Sequence, residues 1–501
     1  MGISWDSKIK RYIVIFILLI AISASIIFNP TTIFNNPTTK ELTVYVAGDG
    51  SGDYNCDGTD DHLQINEALN FVEENPEFTT VYLKGPFKYV INDTLLIGDD
   101  TILEGDSDAC ITIPNSAGWA KAIPLIKNRD SSGNKNITIQ GFEIDGNSEE
   151  QMSLGSRRLG NSYYTMMYFS KSTNIKVQNM YLHHGCNDGL KVEYSDNVIF
   201  ENNIVYKLGH DVVYCLYSNN IIAANNDIFT RTNSALRLSN SNHAKFYNNI
   251  IHSEFSGYST GPGIQLQKTN NYLMDDIEIF NNEIHTLNGA GIFMYGHDKR
   301  IRGSDVYIHN NIFRDVGQYW KDTGYSNAAI VISQFDNTRI ENNVIDDGGH
   351  AGIKFWKYSS QYQMSGTFTA TLRNNIILNH DDHTAAGIWV QDDTANKYKI
   401  VSENNCFYNN RGGSYAGPGI TQSNDIQADP LFADPSKNDY HLKSVAGRWS
   451  ENGWVFDDET SSLIDSGHSI SDYRNEPESN GDRVNIGRYG NTNEASRSIS
   501  N

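Results

Sequence analysis

The chain has 501 residues, of which 39% are hydrophobic and 11% aromatic, with 41 glycines and 11 prolines. This composition excludes wholesale disorder, which requires low hydrophobicity together with high charge. A formal net charge of −21 repels phosphate backbones and argues against nucleic acid as a partner. The five widely spaced cysteines fit neither a disulfide scaffold nor a zinc module.

The first forty residues differ in character from the rest of the chain. Lys8, Lys10 and Arg11 precede an apolar run, Tyr12–Phe28, whose length is at the lower limit for crossing a bilayer. A basic flank before such a run indicates a signal or anchor segment, with the following chain outside the cell. We therefore expect residues 1–40 to be a signal or membrane anchor with a linker. The protein would be secreted, or held on the outer face of the cytoplasmic membrane through this segment only; cleavage is left open.

A calcium-binding loop is one reading of the segment "DYNCDGTDD" near the start of the exported part. It carries oxygen side chains at the first, third, fifth and ninth positions of a calcium loop: Asp53, Asn55, Asp57 and Asp61. Gln64 replaces the bidentate glutamate and no helix is predicted before the loop, so the EF-hand motif is excluded. A simpler Ca²⁺ site remains a candidate, and the sequence requires no other cofactor.

An Asn-Asn pair recurs along the chain between two apolar alternations. The first Asn of each pair stands at 202, 225, 248, 281, 310, 342, 374 and 404. A repeat of this length predicts a solenoid. Each unit has strand alternation and no amphipathic helix, so its strands should pair with those of neighbouring units. Asparagine tolerates the left-handed backbone region, and its amide can bond the equivalent residue one coil away, so the pairs are predicted to form corners.

A second strand follows each corner, from "GLKVEY" at 189 to "GIWVQD" at 387. Its second and fourth residues are apolar and should point inward, so its third and fifth should point outward. From this outward row we predict substrate contacts at Lys191, Glu193, Tyr214, Arg237, Gln265, Lys354, Trp356 and Trp389. Aromatic faces stack on sugars and cations pair with uronate carboxylates, which predicts a linear acidic glycan. The alternative is that long loops, such as 314–328, fold over this row.

Titratable residues cluster where the chain enters this row. The candidates for catalysis are Asp188, Asp211, His184 and His210. Asp188 and Asp211 share one register on consecutive coils, so their carboxylates should lie about 5 Å apart, as in retaining glycosidases. One would then be held protonated as general acid while the other acts as nucleophile or base. The alternative is that both aspartates only cap turns.

The repeats over roughly residues 85–430 resemble the right-handed parallel β-helix of the pectate-lyase-like superfamily. The resemblance implies an all-β single-stranded solenoid over 89–430 and its handedness. "GDYNCDGTDDHLQINEAL" resembles the capping region of such proteins, here 41–88, in which Asp60 or Asp61 would start a short helix. "DPLFADPSKNDYHLKSVAGRW" resembles the closing segment, here 431–501. Among these relatives the chain is most similar to disaggregatase-related, polysaccharide-degrading proteins of methanogenic archaea.

The resemblance implies an exported, endo-acting glycoside hydrolase acting on an acidic cell-surface polysaccharide. "NDG" at 187–189 and "HD" at 210–211 resemble polygalacturonase motifs, but the first lacks its middle residue and the second has one aspartate. Two alternatives stay open: a polysaccharide lyase or epimerase, and a glycan-binding surface protein without catalysis. The sugar, the stereochemical course and the oligomeric state are left open as well.

Overall fold

The computed structural model describes residues 42–119, 123–151, 164–230, 233–255, 261–296, 302–318, 327–357, 364–381, 386–394 and 396–498. The predicted signal or anchor segment therefore lies outside the described residues and stays a prediction. Within the described ranges, no helix is both long enough and apolar enough to cross a bilayer.

Three long parallel sheets make up the body of the protein, each built from one strand per coil. Sheet A contains Leu42–Ala47, Tyr54–Asn55, Phe78–Leu83, Ile102–Gly105, Lys135–Gln140, Thr173–Gln178, Asp196–Glu201, Asn219–Ala224, Asn242–Tyr247, Ile277–Phe280, Gly303–His309, Phe335–Glu341, Phe368–Arg373, Tyr398–Glu403 and Ile420–Ser423. Sheet B contains Phe87–Val90, Ala109–Thr112, Glu143–Asp145, Tyr181–His183, Ile204–Tyr206, Asp227–Phe229, Ile250–His252, Glu283–His285, Ile312–Arg314, Val344–Asp346, Ile376–Leu378, Cys406–Tyr408 and Ile426–Gln427. Sheet C contains Leu95–Ile97, Ile126–Asn128, Met167–Ser170, Leu190–Glu193, Val213–Leu216, Leu236–Ser239, Ile264–Lys268, Ile292–Gly296, Ala328–Ser333, Ala351–Phe355, Ala386–Val390 and Tyr415–Ala416.

One continuous apolar core fills the space between the sheets, from Val44 to Phe407. The predicted inward positions of sheet C are buried, as Leu190 and Val192 illustrate, because alternate side chains of a strand point to opposite faces. The architecture is a parallel β-helix, as the repeat predicts.

A helix, α1 (His62–Glu74), packs against the first coils through Ile65, Ala68, Leu69 and Val72. Asp61 precedes it, but its carboxylate makes no capping bond to the helix. The Oδ1 atom of Asp61 instead accepts the N–H groups of Asp57 and Gly58, and Oδ2 accepts that of Val90. The buried aspartate therefore ties the loop to sheet B.

The two asparagines of each corner have different roles. The first, at Asn202 and its equivalents, adopts a left-handed backbone with φ between 53° and 57°. The second forms a buried ladder in which each side-chain amide donates to the next Oδ1 at 2.8–3.0 Å, from Asn203 to Asn405. The predicted corner is confirmed, and Asp425 accepts the last bond of the ladder at 3.1 Å.

The C-terminal segment lies along the outer face of sheet B. It contains an antiparallel pair, Phe432–Asp434 with Asp439–Leu442. Its side chains Tyr440, Leu463 and Ile486 form a second apolar cluster with Val344, Ile376 and other outward residues of sheet B. The segment thus covers part of sheet B rather than sheet C, where the predicted binding residues stand. The five cysteines, all within the described ranges, are buried and form no disulfide.

Candidate functional site

The outward residues of sheet C stand in direct cross-strand register. Lys191, Tyr214 and Arg237 are successive partners, and the column continues through Gln265 and Phe293. It ends with Val331, Lys354 and Trp389. The predicted alignment on one face is confirmed, because parallel in-register stacking places equivalent residues of successive coils side by side.

The first part of this column, which we call the open row, comprises Tyr168, Lys191, Tyr214 and Arg237. Tyr214 lies between two cations: its ring centroid is 5.6 Å from Lys191 Nζ and 4.5 Å from the Arg237 guanidinium carbon. Lys191 also contacts Glu193 at 2.9 Å. The side chains of Lys191, Glu193 and Arg237 are 27%, 20% and 14% exposed. A charged and aromatic surface therefore faces outward here.

The second part, which we call the covered row, comprises Gln265, Phe293, Val331, Lys354 and Trp389. Phe293 and Val331 belong to a separate apolar cluster, against which Trp356 and Trp389 pack. Gln265 is only 7% exposed and Lys354 only 5%. Neither side chain lies at the surface that contact with a polymer requires, so that contact stays a prediction, as does the alternative that loop 314–328 covers the row. Trp356 and Trp389 are half-buried.

Lys354 has an environment unlike that of Lys191. Its Nζ donates to Asn327 Oδ1 at 2.6 Å and lies 5.1 Å and 5.2 Å from the ring centroids of Trp356 and Trp389. Burial lowers the pKa of Lys354 to about 8. The side chain is therefore part of the packed interior of this row.

Asp188 and Asp211 lie together beneath the open row, with His210 between them. Nδ1 of His210 is 2.6 Å from Asp188 Oδ1 and 3.3 Å from Asp211 Oδ2. Asp188 is 2% exposed and Asp211 is fully buried. Their proximity agrees with the prediction, but an imidazole links the two carboxylates.

Each aspartate also supports the following coil. Oδ1 of Asp188 accepts the backbone N–H of Asp211 at 3.1 Å, and Oδ1 of Asp211 accepts that of Ser234 at 3.0 Å. These bonds join successive coils and leave room for a catalytic role, because a carboxylate has lone pairs for more than one donor. The catalytic role of the two aspartates stays a prediction.

Arg237 connects this buried group to the open row. Its guanidinium lies 3.2 Å from Asp211 Oδ2 and donates to Gln267 at 2.5 Å. Burial raises the pKa of Asp211, although His210 and Arg237 oppose the shift. Burial lowers the pKa of His210, but the carboxylates of Asp211 and Asp188 outweigh it and the net shift is upward.

The tautomer of His210 follows from its partners. With two carboxylates at Nδ1, that nitrogen carries a proton and Nε2 is the acceptor in the neutral ring. Nε2 lies 2.9 Å from the side-chain nitrogen of Asn233. Sequence reasoning missed Asn233, although it stands 23 residues after His210, one period later. Burial raises the pKa of Tyr214, so this phenol is protonated at neutral pH.

His184 belongs to a different group of residues. Its Nδ1 lies 2.6 Å from His183 Nδ1, and Nε2 lies 4.0 Å from Glu149. Asp145, His183 and His184 form one compact set of ligand atoms, whereas Asp188, His210 and Asp211 form another. His184 therefore belongs to the first set and His210 to the second, and the catalytic role of His184 stays a prediction.

The predicted calcium residues each bind a nearby backbone amide. Asp53 Oδ2 accepts the Tyr45 N–H at 2.8 Å, and Asp57 Oδ1 accepts the Thr59 N–H at 2.9 Å. Asn55 Oδ1 accepts the Gly52 N–H, and Asp61 is bonded as described above. Neither of the two compact ligand groups found among the described residues includes this loop. Calcium binding here stays a prediction.

Comparison with known proteins bears on the fold. Residues 274–467 match the family described as disaggregatase related, and residues 165–302 match the right-handed β-helix region. The mannuronan C-5 epimerase AlgE6 A-module of Azotobacter vinelandii is similar in structure, with 15% identity and a TM-score of 0.56 over 74% of this chain and 96% of that one. The surface adhesin PfbA of Streptococcus pneumoniae has 16% identity and a TM-score of 0.53, over 74% and 91% of the two chains.

A third similar structure is the catalytic unit of the GH87 alpha-1,3-glucanase from Streptomyces thermodiastaticus. It has 16% identity and a TM-score of 0.52, over 79% of this chain and 71% of that one. No curated protein matches the sequence. The chain folds as a right-handed parallel β-helix, and residues 274–467 match the model of the family described as disaggregatase related.

Proposed function

We propose that the protein is a carbohydrate-active enzyme that acts on an acidic, uronate-containing polysaccharide outside the cell, with the open row as its site. The observation that carries the proposal is the placement of Tyr214 between Lys191 and Arg237, directly above His210 and its two buried carboxylates. A polymer lying along the row would meet a new side chain about every 4.8 Å.

Three tyrosines in ring contact with one another beside the open row extend the surface available to a polymer. Tyr194 and Tyr217 stack at 4.9 Å, and Tyr217 and Tyr272 lie 4.8 Å apart. Tyr194 is 49% exposed and Tyr272 is 53% exposed. Exposed aromatic faces of this kind offer apolar area to sugar rings, while the cations of the row hold carboxylates.

The side chains at the open row are suited to remove a proton from the carbon next to a uronate carboxylate. A guanidinium and an ammonium would neutralise the carboxylate and so acidify the hydrogen on the adjacent carbon. His210 Nε2 would accept that proton once substrate displaces Asn233, since a base with a pKa near the working pH is the most effective. In β-elimination the electron pair of the broken C–H bond would form a carbon–carbon double bond as the bond to the glycosidic oxygen breaks, and Tyr214, which is protonated, would donate its proton to that leaving oxygen. In epimerisation no C–O bond breaks, and Tyr214 would instead donate its proton to the opposite face of the same carbon.

Hydrolysis by the two aspartates is the second candidate. The raised pKa of Asp211 is the property that a general acid requires. However, Asp211 is fully buried, and its Oδ2 is shared by His210 and Arg237. A glycosidase places both carboxyl groups against the scissile bond, so proton abstraction accounts for the geometry better.

The experiment incubates the full chain separately with a polyuronate and with a neutral glucan. Elimination produces an unsaturated uronate that absorbs in the ultraviolet, epimerisation changes the sugar composition by NMR without shortening the chain, and hydrolysis releases reducing ends without absorbance. We expect one of the first two outcomes on the polyuronate only. Hydrolysis without absorbance would instead support the aspartate mechanism.

The matched variants are Tyr214→Phe and Tyr194→Phe, since both remove one hydroxyl from a tyrosine beside this surface. We expect Tyr214→Phe to lose activity by about 10²-fold or more while it still binds the polymer, and Tyr194→Phe to keep it. Retention of the polymer with no change in length or composition would reject an enzyme in favour of a glycan-binding protein.

A further inference from the structure

Two consecutive histidines on the outer face of sheet B converge with an aspartate from the preceding coil. Asp145 and His183 are register partners on adjacent strands. Nδ1 of His183 lies 2.6 Å from Nδ1 of His184 and 3.6 Å from Oδ1 of Asp145. All three ligand atoms fall within 4.8 Å of one another.

The backbone explains why neighbouring histidines face the same point. Consecutive side chains of a strand normally point to opposite faces. His184 follows the strand Tyr181–His183 and has a left-handed backbone with φ of 48°, which turns its ring back toward His183. Among the thirteen strands of sheet B that the structure describes, only this one ends in histidine and is followed by histidine.

The surroundings of His183 match those of a metal ligand. Its Nε2 lies 2.9 Å from Oε1 of Glu143. A carboxylate at one imidazole nitrogen holds a proton there and leaves the other nitrogen free to bind a metal, and histidine ligands in proteins commonly have this partner. The ring also stacks on Tyr181 at 4.5 Å, which fixes its plane.

From this geometry we propose that Asp145, His183 and His184 bind one divalent transition-metal ion of the zinc class, through Oδ1 and the two Nδ1 atoms. Imidazole with one carboxylate is a donor set that suits zinc and its neighbours rather than calcium. Zn–N bonds of about 2.0 Å in a tetrahedron place ligand atoms roughly 3.3 Å apart, so the two rings must separate slightly. The side chains of Asp145 and His184 are 18% and 26% exposed, which leaves access for the ion.

Two existing contacts involve the carboxylate of Asp145. Lys88 Nζ lies 3.6 Å from Asp145 Oδ2, but this lysine is 60% exposed and can move away. The backbone N–H of Asn147 donates to Asp145 Oδ1 at 2.8 Å, and a carboxylate oxygen can accept this bond and bind a metal together. The rival description is a proton shared between His183 and His184 with no metal.

Metal binding would join two coils close to the open row. Asp145 and His183 lie on successive coils, and His184 precedes Asp188 by four residues. The ion would therefore stabilise the turn that presents Asp188. This role is independent of the reaction catalysed at the open row.

The test titrates the metal-stripped full chain with Co²⁺ and with Zn²⁺, and follows the visible absorption of Co²⁺ and the thermal unfolding temperature. We expect one tightly bound equivalent and a higher unfolding temperature for the wild-type protein. His184→Ala and Asp145→Asn should lose both effects, because each removes a ligand. His252→Ala, which changes another partly exposed histidine of sheet B, should keep both.

Two results would overturn the proposal. One is the absence of stoichiometric binding to the folded wild-type chain, which would favour the shared proton. The other is binding that survives His184→Ala and Asp145→Asn but is lost in His210→Asn, which would assign the metal to the Asp188 group. Circular dichroism of each metal-free variant separates a lost ligand from a failure to fold.

Discussion

The open row and the covered row occupy the same face of the same sheet and differ in what surrounds them. Both consist of outward residues in one cross-strand register of sheet C, and Arg237 of one row is the cross-strand partner of Gln265 of the other. In the open row, Lys191 pairs with Glu193 at the surface. In the covered row, Lys354 is buried between two tryptophans and its pKa falls to about 8. Strand periodicity thus decides on which face of the sheet a side chain lies, whereas packing by the rest of the chain decides whether that side chain is exposed.

This difference assigns separate roles to chemically similar residues. Tyr214 and Phe293 are both aromatic, but Tyr214 is partly exposed beside Lys191 and Arg237, whereas Phe293 is buried. Residues of the open row should therefore govern turnover and binding, whereas those of the covered row should govern stability. Four predictions test this division.

The largest effect on catalysis is expected from His210→Asn, which changes the histidine beneath the open row. Removing the proton acceptor should reduce kcat by about 10²- to 10⁴-fold, while Trp389→Phe in the covered row should leave it unchanged. Steady-state kinetics on the polyuronate measure both. Equal losses in the two variants would break the division between the rows.

The free energy of unfolding should fall more for a variant of the covered row than for a variant of the open row. Phe293→Ala empties space in a buried cluster and should lower the free energy of unfolding by about 3–5 kcal/mol. Tyr214→Ala, which truncates a partly exposed ring, should cost about 1 kcal/mol. Urea unfolding followed by circular dichroism measures both, and a greater loss for Tyr214→Ala would contradict the comparison.

The two lysines of the column provide a matched pair for binding. Lys191→Met should raise KM for an acidic polymer about tenfold, equivalent to about 1.4 kcal/mol, and the effect should shrink as salt screens the charge. Lys354→Met should leave KM unchanged, because its ammonium does not reach the surface. A comparable rise in KM for Lys354→Met would indicate that the covered row opens to admit substrate.

The smallest effect is a displacement of the pH profile. His210 must be neutral to accept a proton, and its pKa is raised above the ordinary value by Asp211 and Asp188 against the effect of burial. Activity should therefore rise as pH increases through that raised pKa. Asp211→Asn removes one anion and should move this limb to lower pH by about one unit or more. Profiles of kcat/KM against pH, which report the free enzyme, provide the measurement; an unmoved limb would exclude His210 as the base.

The predicted site agrees with the structure where its residues follow the repeat. Asp188 and Asp211 were expected to be neighbours from their register alone, and they are. The position of His210 between them was not expected, because its ring direction depends on the turn before the strand. The contact of His184 with His183 was not expected either, because it depends on the left-handed backbone of His184, which turns the ring toward His183. The alternation of side chains along a strand does not predict the direction of a side chain in such a turn.

The sequence by itself determined the solenoid, the asparagine corners and the face on which each strand residue stands. These features follow from local periodicity, because in-register parallel stacking converts a constant spacing into spatial contact. Only the tertiary structure decided which part of the sheet C column is exposed, where the C-terminal segment packs, and how His183, His184 and His210 orient. Those outcomes depend on loops and contacts between distant residues, which no repeat encodes.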